Sequence, residues 1–245
     1  MRTFKLLLEY EGTQYHGWQV QAGLPTVQGC LQDALARLAG GPVPVIGAGR
    51  TDAGVHASGQ VASFAADLRL DPAALQRALN AMLARDIAVL EVAEVPPGFD
   101  ARREATARTY RYTLLCRPHR SALWRDRALH VPRPLDREAM ASAAAFLVGE
   151  HDFSAFRAAH CSASSPIRRV TAAHFVQEGD FAHFVITANA FLQHMVRIMM
   201  GTLLQVGEGR LTPPGFQTVL ASRDRRRAGK TLDPRGLCLV RVNYD

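Results

Sequence analysis

The feature that most restricts this chain is an order of strands and helices that it runs through twice, on either side of Pro96-Pro97-Gly98. Residues 4 to 9 alternate as a strand, and Thr26 can cap a helix with the apolar stripe Leu31, Ala34, Leu35 and Leu38. Strands are expected at Val43 to Ile46 and Gln60 to Phe64. Asp71 followed by Pro72 is an N-cap and first-turn pair that opens a second helix, and Ile87 to Val95 reads as a strand. Past the breakers, strand Ala107 to Cys116 leads to a helix near Asp136, then to strands Ile167 to Val176 and Phe181 to Ala188. A long helix from about Phe191 to Val206, a short helix opened by Pro213 and a strand near Leu237 to Tyr244 complete the second pass.

Two βαββαβ units of this kind are ferredoxin-like halves. The expectation is an α+β chain, with halves 1–104 and 105–245 whose antiparallel sheets meet at a central cleft. That superfold carries many unrelated functions, so function has to be argued from side chains.

Composition narrows the partners. With 48% hydrophobic residues in 245, the chain can bury a sizeable core. The opening MRTFKLLLEYEG reaches charged positions before any signal-like apolar run develops, and no apolar stretch is long enough to span a bilayer. A cytoplasmic protein with no membrane attachment is therefore expected. Cys30, Cys116, Cys161 and Cys238 lie far apart, with no CxxC pair or zinc spacing, and are read as reduced thiols. The formal charge is +7, and Lys5 and Lys230 are the only lysines. Arginine favours bidentate phosphate contacts and stacking, so a polyanion is a reasonable partner, although surface charge also serves solubility.

The most informative segment is Gly47-Ala-Gly-Arg-Thr-Asp-Ala-Gly-Val-His56, a glycine-bounded turn that sets one carboxylate, Asp52, between Arg50 and His56. It is neither a dinucleotide fingerprint nor a Walker loop, because Asp52 stands where a glycine would be needed and Gly-Lys-Ser/Thr is absent. Taken alone, Asp52 reads as a turn cap paired with Arg50 at the surface. One carboxylate and one histidine make a poor metal site, and none is expected.

The segment GRTDAGVHASGQV resembles the signature of the TruA family of tRNA pseudouridine synthases. The likeness continues, in order, through LEYEGTQYHGWQVQ, DARREATARTYRYTL, GEHDFSAF, NAFLQHMVRIMMGTLL and GLCLVRVNY, from near residue 8 to 244. The resemblance implies isomerisation of uridine to pseudouridine at positions 38, 39 and 40 in the tRNA anticodon arm, with no cofactor, by a homodimer. It places the catalytic carboxylate on Asp52, since glycosidic cleavage needs an ionised carboxylate beside sugar and base.

By the same resemblance Arg197 is the cationic partner of Asp52. A helix arginine is ordinarily a solvated surface residue, but Phe191, Leu192, Met195, Val196, Met199 and Met200 make this helix largely apolar and favour a buried role. Arg108, Tyr110 and Tyr112 share one face of a predicted strand. Tyr112 reads as core, while the match to the family's motif makes Tyr110 the active-site tyrosine that stacks on the target base. Arg50 is assigned to flipping the uridine out of the stack or holding the neighbouring backbone. Arg102, Arg103, Arg108, Arg168 and Arg169 are candidates for an RNA-facing basic cleft, with Arg108 and Arg168 taken as substrate contacts; the run Arg223 to Arg227 reads equally well as a solvated helix end. Two other readings stay open: a non-catalytic RNA-binding module, which would need no aspartate, and a small-molecule enzyme built on Asp52 and His56.

Overall fold

The computed structural model describes residues 1–244 and shows a mixed α+β chain. It divides into two compact units, Met1–Arg108 with the segment from Cys238 onward, and Thr109–Leu237.

The first unit contains β1 (Arg2–Tyr10), α1 (Val27–Ala39), β2 (Ile46–Gly47), β3 (His56–Ala66), α2 (Pro72–Met82) and β4 (Ile87–Val95). Its strands run in the order β4-β1-β3, with β2 on β3 and the late strand Leu237–Asn243 pairing parallel with the start of β3. In β1, alternation buries Phe4, Leu6, Leu8 and Tyr10, each full burial of such a side chain being worth about 1.5–3 kcal/mol. The buried stripes of the two helices are Leu31, Ala34 and Leu35 on α1, and Leu75 and Leu79 on α2. The caps are those expected: the Thr26 hydroxyl accepts from Gly29 N–H, and the Asp71 carboxylate from Ala74 N–H at 2.7 Å.

The second unit contains β5 (Ala107–Leu115, which enters it after Arg108), β6 (Leu129–His130), α3 (Arg137–Ala145), β7 (Gly149–Asp152), β8 (Ile167–Glu178), β9 (Phe181–Ala188), α4 (Met195–Gly207) and α5 (Pro213–Ser222). The last strand, Leu237–Asn243, is β10. The order here is β5-β9-β8-β7, with β6 on β5. Nearly every residue of α4 is buried, as expected of a helix that is apolar all round. Phe153, Phe156, Phe184 and Phe216 are fully buried, and Phe156 stacks on Phe216 at 5.7 Å.

Three expectations change. Of Val43 to Ile46 only Ile46 pairs in the sheet; Val43 and Val45 are buried without a ladder, since Pro42 and Pro44 supply no N–H. Strand β3 begins at His56 rather than Gln60. Helix α4 begins at Met195 rather than Phe191, because His194 takes the left-handed conformation with φ +61°. Among the described residues, no helix is long and apolar enough to cross a membrane.

Candidate active site

In the first unit, the chain between β2 and β3 forms the turn that carries Asp52. Thr51 points inward and is 6% exposed, whereas Arg50 is exposed and Asp52 half-buried. The Thr51 hydroxyl shares a 2.8 Å hydrogen bond with the Tyr10 hydroxyl. Gln60 donates to the Tyr10 oxygen at 3.3 Å and to the Gly49 carbonyl at 2.9 Å. The Thr51 carbonyl accepts from Trp18 N–H at 3.1 Å, and Val55 N–H closes the turn onto the Asp52 carbonyl at 3.1 Å.

The segment 10–18 is therefore a cradle for this turn. Gly54 N–H donates to the Tyr15 carbonyl at 3.2 Å. A β-carbon at Gly12 would collide with the Val55 carbonyl, so only glycine lets the two backbones approach so closely. His56 belongs to the same scaffold: it is buried, and its Nδ1 accepts from Gly12 N–H at 3.0 Å. Among the described residues, no group of three or more His, Cys, Asp or Glu could hold a metal ion.

Arg108, expected as a substrate contact, is placed behind the entrance of the Asp52 turn. It is buried, and its guanidinium donates to the carbonyls of Ala48 (Nε at 3.2 Å, Nη2 at 2.8 Å), Ala105 (2.8 Å) and Arg102 (2.7 Å). Ala48 opens the Asp52 turn, and its N–H donates to the Val61 carbonyl at 2.8 Å. Arg108 thus fixes the turn's entrance.

In the second unit, Tyr110 is buried on β5 and packs edge-to-face with Phe191, centroids 5.0 Å apart. Phe191 sits in the turn ended by left-handed His194, a strained conformation of the kind that collects at working sites. Arg197 follows on the first turn of α4, half-buried, with Nε donating to the Leu232 carbonyl at 2.8 Å and its charge felt by Tyr112 and Asp233. Tyr112 is core: fully buried, its hydroxyl donates to the Asp233 carbonyl at 2.7 Å. Arg168 is partly buried on β8, with Nη1 on the carbonyls of Ser165 (2.9 Å) and Ile167 (2.6 Å). Burial, helped by the charge of Arg157, pushes its pKa down.

The residues that sequence reasoning passed over are Tyr10, Gln60, Gly12 and His194. Gln60 reads simply as a strand position and Tyr10 lies just past the expected first strand, and only the glycines of LEYEGTQYHGWQVQ hint at close backbone packing.

A family model described as tRNA pseudouridine synthase matches the chain over residues 7–102 and 143–245. The chain therefore belongs to the tRNA pseudouridine synthase family, isomerases that act on tRNA. Among its relatives, it is 47% identical to tRNA pseudouridine synthase A of Geobacter sp. (strain M21), over 100% of this chain and 99% of that one. It is 49% identical to tRNA pseudouridine synthase A of Myxococcus xanthus, over 100% of this chain and 92% of that one. The protein of the same name from Moorella thermoacetica is 47% identical, with both chains covered in full.

Proposed function

We propose that this protein converts uridine to pseudouridine at positions 38, 39 and 40 of the tRNA anticodon stem-loop, with Asp52 as the catalytic carboxylate. The observation that carries the reading is the turn itself. Thr51 is anchored on Tyr10 and Trp18, so Asp52 is held on an immobilised backbone beside the exposed Arg50. Such fixing supplies the orientation that a reaction at one glycosidic carbon requires.

In this reading Asp52 promotes cleavage of the N1–C1′ bond, the base turns, C1′ bonds to C5, the C5 proton leaves to solvent and N1 gains a proton. Atoms and charge balance without a cofactor. Arg197 is the cation assigned to keep the carboxylate ionised. Tyr110, braced by Phe191, offers a ring to the flipped base, and such stacking is worth about 1–3 kcal/mol. Arg50 assists the flipping of the uridine or holds the neighbouring backbone, and Arg168, with Arg108 behind the turn, serves the substrate-binding surface. The reading includes two ferredoxin-like halves, 1–104 and 105–245; the order β4-β1-β3 with β2 on β3, and the two stretches matched by the family model, support it. It also includes a cytoplasmic homodimer.

The test is tritium release from tRNA labelled at uracil C5 in the anticodon arm, with Asp52→Ala alongside. Release by the wild type alone is expected. Tight binding of several such tRNAs without release would leave the non-catalytic RNA-binding reading in its place.

A further inference from the structure

The arginine run Arg223 to Arg227, which as sequence reads equally well as a solvated helix end, borders a pocket of about 670 Å³ in the second unit. Its lining includes Arg157, Arg223, Arg225 and Arg226, with Ser154 and a single carboxylate, Asp224. We propose that this pocket is a phosphate subsite that takes the sugar-phosphate backbone of tRNA. The proposal rests on the tRNA reading above and extends it to a second place on the chain.

Two of the four cations are positioned by hydrogen bonds to uncharged groups. Arg157 donates to the carbonyls of Cys161 (2.6 Å) and Ala163 (2.7 Å). Arg225 donates to the Gly229 carbonyl (3.0 Å) and the Thr231 hydroxyl (3.2 Å). These contacts set the position of a guanidinium without neutralising it. The other two reach outward: the side chains of Arg223 and Arg226 are 68% and 90% exposed, and lean on Asp152 at 3.4 Å and Asp224 at 2.8 Å. Positively charged, partly prearranged forks of this kind suit phosphate oxygens.

The backbone gives a second, independent sign. Arg223 ends α5 in the left-handed conformation, with φ +55°, where glycine or asparagine would be at ease. A strained residue kept at the rim of a cationic pocket points to a use for its side chain. The pocket wall also meets the support of Tyr110. Ala158, another lining residue, donates its N–H to the Gln193 carbonyl at 3.2 Å, and Gln193 shares its turn with Phe191, which braces the Tyr110 ring. A strand of RNA lying here would bear on the turn that orients the base-stacking residue.

The experiment compares full-length wild type with the double variant Arg223→Gly, Arg226→Gln. The glycine relieves the strained backbone, so the variant is not expected to unfold, and its thermal midpoint verifies this. A second double variant, Arg69→Gln, Arg77→Gln, removes the same charge from exposed positions elsewhere. Kd for tRNA is measured from low to high KCl. The pocket variant should bind about tenfold more weakly at low salt, with a slope of log Kd on log salt reduced by roughly two, while the control keeps the wild-type slope. A wild-type slope in the pocket variant, or an equal loss in both variants, would overturn the proposal. Calorimetry with inorganic pyrophosphate separates the sources: binding lost in the pocket variant while tRNA affinity and slope stay unchanged would make the pocket a small-anion site and overturn the RNA assignment. Wild-type protein that neither binds tRNA nor releases tritium would instead sink the reading on which the proposal rests.

Discussion

Gly17 lies so close to Thr51 that a β-carbon on it would stand 2.5 Å from the Thr51 carbonyl oxygen, and its φ of +86° is one that other residues rarely adopt. Backbone contact and backbone conformation thus both demand glycine at a position 35 residues from the carboxylate they serve.

Gly17→Ala should accordingly cost about 2 kcal/mol or more of stability and displace the Asp52 turn. The expected result is a lower urea midpoint together with at least a tenfold fall in tritium release. Wild-type values of both would show that the cradle does not govern the turn.

Tyr10→Phe removes one oxygen from the chain Thr51–Tyr10–Gln60. The buried Thr51 hydroxyl loses its partner while Gln60 retains the Gly49 carbonyl. A loss of about 1–3 kcal/mol is expected, with turnover reduced more than tRNA affinity, because the change loosens the reacting turn and touches no phosphate site. Equal losses in kcat and affinity would count against this division.

Arg108→Lys keeps the charge but not the planar fork that reaches three carbonyls. The melting temperature should fall while the salt dependence of tRNA binding stays as in wild type. A slope reduced by about one, with stability intact, would make Arg108 a direct phosphate contact instead of a support behind the turn.

Burial tends to push the Asp152 carboxyl up, but hydrogen bonds from the Ser154 hydroxyl and N–H, with the charges of Arg223 and Arg157, hold it below the usual range. Its unfolded form therefore takes up a proton first on acidification. The stability it contributes is complete above the ordinary carboxyl pKa of about 4 and disappears as pH falls through the lower folded value. Urea midpoints of wild type and Asp152→Asn should differ near neutral pH and converge as the pH falls below the ordinary carboxyl range. A difference that persists there would assign the effect of the substitution to packing.

What could be read from the sequence was whatever local chemistry specifies. Asp71-Pro72 and Pro213 set the starts of α2 and α5, because a cap and a proline act within one turn. The early start of β3 was not legible, since His56 and Ala57 pair with Cys238 and Leu239, far away in the chain. Nor was the late start of α4, which follows from one left-handed histidine inside an apolar run. The Asp52 turn was conspicuous as a glycine-bounded carboxylate, while the residues that immobilise it come from β1, β3 and β5 and carry no periodic signal of their own. Arg108 illustrates the difficulty: its place on a strand gives no sign that its guanidinium donates to the carbonyls of Ala48, Arg102 and Ala105.

The pairing of β3 with β10 gives biosynthesis a schedule. Ser58 and Cys238, which touch across it, are 180 positions apart. At ordinary rates of synthesis the strand following the Asp52 turn waits roughly 10–40 s for its parallel neighbour to be made. During that interval the nascent first unit has an open backbone edge where β10 will lie, so its sheet is completed only as the last strand leaves the ribosome.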